Sequence, residues 1–144
     1  RGPQGAASTL ESAYKRLTAP IREALSQAGI SSCHGSVAGA FCDGRFNITV
    51  MGRKFAGTAQ RWRPMAGEMA VQTHAMMLIR TPDENTITTL NRFYLDCRIK
   101  RVIHASAHVG LHDLVQLDDK EAIQHRFLRM IADRAHLWSA PRLS

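Results

Sequence analysis

The stretch FNITVMGRKFAGTAQRWRPMAGEMAVQTHAMMLI, residues 46–79, constrains the fold most, because three apolar-rich runs follow one another with only short turn-forming breaks between them. Phe46, Ile48 and Val50 alternate with Asn47, Thr49 and Met51, the period of a half-buried strand. Gly52-Arg53 supplies a tight turn into a second strand expected from Lys54 to about Arg63. Pro64 to Glu68 makes the next connection, and Met69–Ile79, long and partly β-branched, reads as a third and more buried strand. Strands in immediate succession, without crossover helices, favour an antiparallel or mixed sheet over parallel βαβ winding.

Helical patterns flank this block. Ser8-Thr9-Leu10-Glu11 has the form of a capping box, and Leu10, Ala13, Tyr14, Leu17, Ile21 and Leu25 follow at helical spacing until Gly29, which predicts a helix over 9–28. Pro20 should kink or split it, since it removes a donor and crowds the preceding turn. Residues 30–44, rich in Gly, Ser and Ala, read as a flexible loop. Thr81-Pro82-Asp83-Glu84 repeats the capping logic before a helix whose inward face is Ile87, Leu90 and Tyr94. Asp118 or Asp119 caps a last helix with a stripe of Ile123, Phe127, Met130, Ile131 and Trp138, ending near His136. The predicted fold is α+β, a sheet packed with helices, in one domain over 1–144. The start at Arg1 rather than Met leads us to expect an incomplete N-terminus.

Nineteen Lys and Arg against twelve Asp and Glu give a net charge of +7, which suits an acidic partner or a solvated basic surface. The few aromatic residues are not interleaved with the basic ones, so charge alone speaks for nucleic acid, and such binding is not expected. Cys33, Cys42 and Cys97 form no CxxC pair, which fits free thiols in a reducing, cytoplasmic setting. No apolar run is long enough for a membrane span, and no signal-peptide pattern opens the chain. P-loop, G-x-G-x-x-G, G-x-S-x-G and HExxH patterns are all missing, which removes the commonest hydrolase and hydride-transfer readings.

Lys54 is either an edge-strand lysine or a fixed cation that meets a carbonyl or phosphate. Gly57 inside a strand allows a close approach to the backbone, and Thr58 adds a hydroxyl. Cys42 is a nucleophile if a base or cation activates it, and otherwise an inert thiol. His74 is a candidate base or donor, or a plain surface histidine. His104, His108 and His112 recur every four residues, but Ser106 and Gly110 interrupt any helical stripe, and no metal is assigned.

GRKFAGTAQRWR, preceded by GRFNITV and followed about ten residues later by THAMMLI, resembles the signature of the lipoate-protein ligase, octanoyltransferase and biotin ligase catalytic-domain family. The likeness extends more loosely through AHVGLHDLV and the last helix, about Ser8 to His136. It implies that Lys54 contacts the acyl carbonyl or the acyl-adenylate phosphate, that Gly57, Thr58 and Ala59 line the same pocket, and that His74 matches the histidine of the following strand. Asn47 stands where many of the ligases carry a carboxylate for the nucleotide and its magnesium. The family's R-R-x-x-G-G segment would lie before the first helix, where this chain has RGPQG. Lipoate or octanoate is the implied substrate, with ATP and Mg as cofactors of the ligases. The implied partners are lipoyl domains of 2-oxoacid dehydrogenase or glycine cleavage proteins. One branch takes its acyl group from acyl carrier protein through a cysteine thioester, without ATP, and Cys42 occupies a comparable place. The resemblance therefore implies lipoyl or octanoyl attachment to a lysine, or else a noncatalytic member that binds an acidic partner such as a lipoyl domain.

Overall fold

The structure, a computed structural model, describes the backbone of residues 4–65, 68–115 and 120–139 and the side chains of 10–64, 70–115 and 120–135. Helix α1 (Gln4–Gln27) leads to a two-residue strand β1 (Cys33–His34), then β2 (Ile48–Val50), β3 (Arg53–Met65) and β4 (Glu68–Met77). Helix α2 (Glu84–Asp96), a 3-10 turn (Ala105–Ala107), the short α3 (Leu111–Leu114) and α4 (Lys120–Ser139) complete the order. All three strand pairings are antiparallel, in the order β1-β2-β3-β4. The expected α+β class is thus the observed one.

Several expectations are corrected in detail. Helix α1 begins at Gln4, upstream of the capping box, because Ala6 and Ala7 are strong helix formers that carry the turn backwards. The side chains of Ser8, Thr9, His136 and Trp138 lie outside the described residues, as do Asp118 and Asp119 altogether; α4 runs to Ser139, beyond the end expected near His136. Pro20 sits inside one unbroken helix and is buried; the apolar side chains of Ile21, Ala24 and Leu25, packed on the sheet just beyond it, hold the axis together. Gly29, at φ +75, ends the run as expected.

The hairpin turn is Met51-Gly52 rather than Gly52-Arg53, with both central residues at positive φ (49 and 73) and Val50 paired to Arg53. That geometry matches the twist of the strands it joins. Strand β2 is buried throughout, Thr49 included, because it lies between β1 and β3, with Ile48 and Val50 in the main core and Thr49 bonded to Cys33. Strand β4 is the reverse of the buried strand expected. It is an edge strand, with Val71 39% and Met76 53% exposed. The loop 30–44 contains β1, tied to β2 through Cys33 opposite Thr49 and His34 opposite Ile48.

Helix α2 is capped by Asp83, which accepts the Thr86 N–H at 2.7 Å, and not by Thr81. Thr81 is engaged elsewhere: its hydroxyl donates to Asp113 Oδ2 at 2.5 Å and accepts the Gly110 N–H at 2.8 Å. The main core joins Ile21 and Leu25 of α1, Ile48, Val50, Phe55 and Ala56 of the sheet, Val109, Leu111 and Phe127 of α4. Phe55 meets Phe127 edge-on, 6.2 Å between centroids.

Candidate active site

A change of register in the hairpin sets up the site. Thr49 pairs with Lys54 but Ile48 pairs with Ala56, so Phe55 is an extra residue on β3. Residues three apart on a regular strand face opposite ways. The extra residue cancels this difference and brings Gly57 under the Lys54 side chain, as a bulge does. A Cβ at Gly57 would stand 3.2 Å from Lys54 Nζ and 3.3 Å from its Cε, so only glycine leaves the ammonium this space.

Lys54 is 1% exposed, and a buried ammonium needs partners. Its Nζ donates to the carbonyl oxygens of Phe41 and of Cys42, the latter at 2.8 Å, and lies 5.0 Å from the centre of the Phe41 ring. Burial pushes the lysine pKa down, as does Arg101 more weakly, while the Cys42 sulfur as thiolate and the Asp43 carboxylate push it up. Asn47, also buried, donates from Nδ2 to the Cys42 carbonyl at 3.3 Å and accepts the Thr58 N–H at Oδ1. The Thr58 hydroxyl donates to the Phe46 carbonyl.

The other side of the same loop is held by His108. The Lys54 carbonyl accepts the Val109 N–H at 2.9 Å, and Lys54 and His108 form an isolated parallel bridge. The His108 Nδ1–H donates to the His104 carbonyl at 2.9 Å, leaving Nε2 to accept the Phe41 N–H at 3.2 Å. Its ring stacks on Phe41 at 4.3 Å. Burial is the main cause that lowers the His108 pKa, with Lys54 adding to it against the backbone hydrogen bond to His104, so the ring is neutral at pH 7. Asp43 Oδ1 accepts N–H groups of Val37 and Gly44, both at 2.9 Å. Between these anchors Cys42 is exposed and takes φ +47, a left-handed conformation that costs a non-glycine residue about 1 kcal/mol or more and persists where surroundings enforce it.

Cys42 and Phe41 form one wall of a cleft of about 700 Å³, whose apolar lining continues through Met76, Leu78, Leu90 and Tyr94. The volume lies in the usual range for small-molecule sites. The opposite wall is α2, tied down by the Thr81–Asp113–Gly110 contacts. A Cβ at Gly110 would overlap the backbone of Arg80 and Thr81, so this junction admits glycine alone.

Lys54, Asn47, Gly57, Thr58 and the Cys42 peptide are therefore brought into one knot. Ala59 and His74 are not: they pair with each other across β3 and β4, roughly 16 Å along the strand from Lys54 at strand rise, and His74 is exposed. His108, Phe41 and the α2 residues Leu90 and Tyr94 escaped notice as site residues. The four-residue histidine spacing raises only the question of a metal, and none is assigned; both His108 ring nitrogens are engaged within the protein. The signal that could have found His108 is a histidine in a segment of small and apolar residues, which must be buried with partners.

No family model matches the sequence. Curated relatives do. An octanoyl-[GcvH]:protein N-octanoyltransferase of Kyrpidia tusciae is 37% identical over 112 residues, 72% of this chain and 38% of that protein. An uncharacterized protein of Cupriavidus necator is 39% identical over 89 residues, 54% of this chain and 34% of its own length. A second octanoyl-[GcvH]:protein N-octanoyltransferase, from Exiguobacterium sibiricum, is 29% identical over 72 residues, 50% of this chain and 26% of that protein. The chain spans well under half the length of the relatives it matches. No helix among the described residues is long and apolar enough to cross a membrane. The likeness to relatives named for octanoyl transfer, on an antiparallel α+β framework with the lysine motif at its centre, makes the chain a member of the lipoate-protein ligase and octanoyltransferase family.

Proposed function

We propose that the protein transfers an octanoyl group to a lysine of a lipoyl domain, with Cys42 as the transient acyl carrier. The observation that carries this reading is the exposed Cys42, held at positive φ on the wall of an apolar cleft by carbonyl bonds to the Lys54 ammonium. The relatives' name supplies the donor, an octanoylated GcvH. Cys42 loses its proton and the thiolate attacks the octanoyl carbonyl; a C–S bond forms, the C–N bond breaks, and the donor lysine leaves as an amine with that proton. The neutral amine of the acceptor lysine then attacks the thioester, re-forming an amide, and its proton returns to the thiolate. Two of the three Lys54 N–H donors serve the Phe41 and Cys42 carbonyls, so the buried ammonium holds the loop that presents the thiol. The cleft takes the alkyl chain, and the basic surface suits an acidic lipoyl domain.

The residue expected at a nucleotide, Asn47, has both ends of its amide committed to Cys42 and Thr58. That donor set does not fit ATP and Mg, and no step is routed through them. The address we propose is the cytoplasm, in keeping with three free cysteines. Incubation with octanoyl-GcvH and an unmodified lipoyl domain, followed by intact-mass measurement, should give an octanoylated acceptor without ATP and a hydroxylamine-sensitive adduct on Cys42. Transfer that survives Cys42→Ser, or that requires ATP and lipoate, would sink the thioester route. Absence of transfer from octanoyl-GcvH, acyl carrier protein and lipoate with ATP alike would leave a noncatalytic, partner-binding member.

A further inference from the structure

We propose that His108 is a positioning residue that aims the Cys42 thiol into the apolar cleft, through the Phe41 peptide that it shares with Lys54. The inference rests on the reading of Cys42 as acyl carrier. Phe41 is gripped at both ends of its backbone: its N–H by His108 Nε2 and its carbonyl by Lys54 Nζ. The next carbonyl, that of Cys42, is gripped by Lys54 and Asn47. With those groups fixed, the backbone torsions around Cys42 are fixed too, including the unfavourable φ of +47. Release of the Phe41 N–H leaves the segment held by its carbonyls alone, which can pivot about the flexible Lys54 side chain, so that Cys42 relaxes towards negative φ and the thiol swings off the cleft wall. The role requires a neutral imidazole. The Nδ1–H is committed to the His104 carbonyl, so Nε2 accepts only while unprotonated; an imidazolium donates at both nitrogens and would face the Phe41 N–H as donor against donor.

A pair of thiol reagents reads the aim of the sulfur without calling on transfer. N-octylmaleimide and N-methylmaleimide share one electrophile and differ in the chain that a cleft behind Cys42 would bury. In a Cys33→Ser, Cys97→Ser background the wild-type site should prefer the octyl reagent by about tenfold or more, the share of two buried methylenes. His108→Phe keeps a ring against Phe41 but removes the acceptor, and should bring the ratio to within about twofold of unity, since the chain then finds no fixed cleft. His108→Gln, which restores an acceptor oxygen, should recover most of the preference. A wild-type ratio near one, or an undiminished ratio in His108→Phe, overturns the proposal.

The wild-type protein provides a second reading that needs no variant. The folded His108 pKa lies below the ordinary imidazole value, so its contribution is fully present above that value and is lost as pH falls through the folded pKa. The octyl-to-methyl ratio should collapse over that acid range, whereas the thiolate fraction affects both reagents equally and cancels. The charged group that acts on the ring is Lys54 from β3, with the His104 carbonyl of its own segment on Nδ1, and Lys54 in turn faces Cys42 and Asp43 from the loop and Arg101. A ratio flat down to the acid limit of folding overturns the proposal. The two readings fail separately: loss of the ratio in His108→Phe from a protein that transfers no octanoyl group removes only the transferase reading, and transfer with an unaltered ratio removes only the positioning role.

Discussion

The β3–β4 hairpin has two ends made from one continuous motif, and they have opposite characters. At the near end, Lys54 and Phe55 are fully buried, the register shifts, and two distant segments converge on the lysine, the 41–42 loop at its ammonium and residues 108–109 at its backbone. At the far end, Arg61, Arg63 and His74 are exposed, and a groove of about 460 Å³ between Leu17, Pro20, Trp62 and Val71 lies against α1, with neither Lys54 nor Cys42 in its lining. The motif GRKFAGTAQRW thus divides at about Thr58. Its first half gathers the polar knot around Lys54, and its second half is a two-stranded ribbon with a lightly covered edge. What separates the halves is the number of backbone groups from elsewhere that must be satisfied, not the local composition.

The contrast can be broken most severely at Gly110, which secures the near end from behind. Gly110→Ala drives a methyl into the Arg80–Thr81 backbone, and we expect a loss of about 3 kcal/mol or more by urea unfolding. Lys54→Met keeps the length and removes the donor, leaving the Phe41 and Cys42 carbonyls without their shared partner. Stability should fall by about 2 kcal/mol, and single-turnover octanoyl transfer by at least about a hundredfold. Gly57→Ala leaves an ordinary strand backbone but displaces the ammonium by a few tenths of an ångström; transfer should drop by about tenfold with under about 1 kcal/mol of destabilisation. At the far end, His74→Ala should change transfer by less than about twofold and the unfolding midpoint hardly at all. A large effect there, with a small one at Gly57, would reverse the comparison.

The antiparallel sheet was legible in the alternation of residues 46–79, and the lysine in its motif lies at the end of the hairpin where the buried polar knot forms. The burial of the strands was not. Whether a run is central or at the edge depends on what pairs with it, and β1, two residues long in a stretch of serines and glycines, leaves no periodic trace yet makes β2 an inner strand. The cap of α2 was misread for a related reason: Thr81 has the right chemistry for a cap, but a tertiary contact to Asp113 thirty-two positions away takes its hydroxyl. Lys54 was expected to find its partner in a substrate. Its observed partners are main-chain oxygens of the loop that carries Cys42, a pairing that no local pattern encodes.

The hydrogen bond from Phe41 to His108 joins positions 67 apart in the chain. Closing so long a loop is entropically slow compared with forming the hairpin. The thiol can therefore acquire its orientation only after residues 104–110 have been made and docked beside β3. During synthesis on the ribosome, the hairpin with Lys54 and Asn47 emerges well before that segment, and the Cys42 loop lacks its His108 anchor in the meantime. On the proposed reading, the aim of the thiol is in this sense a property conferred late, by the part of the chain that least resembles the motif.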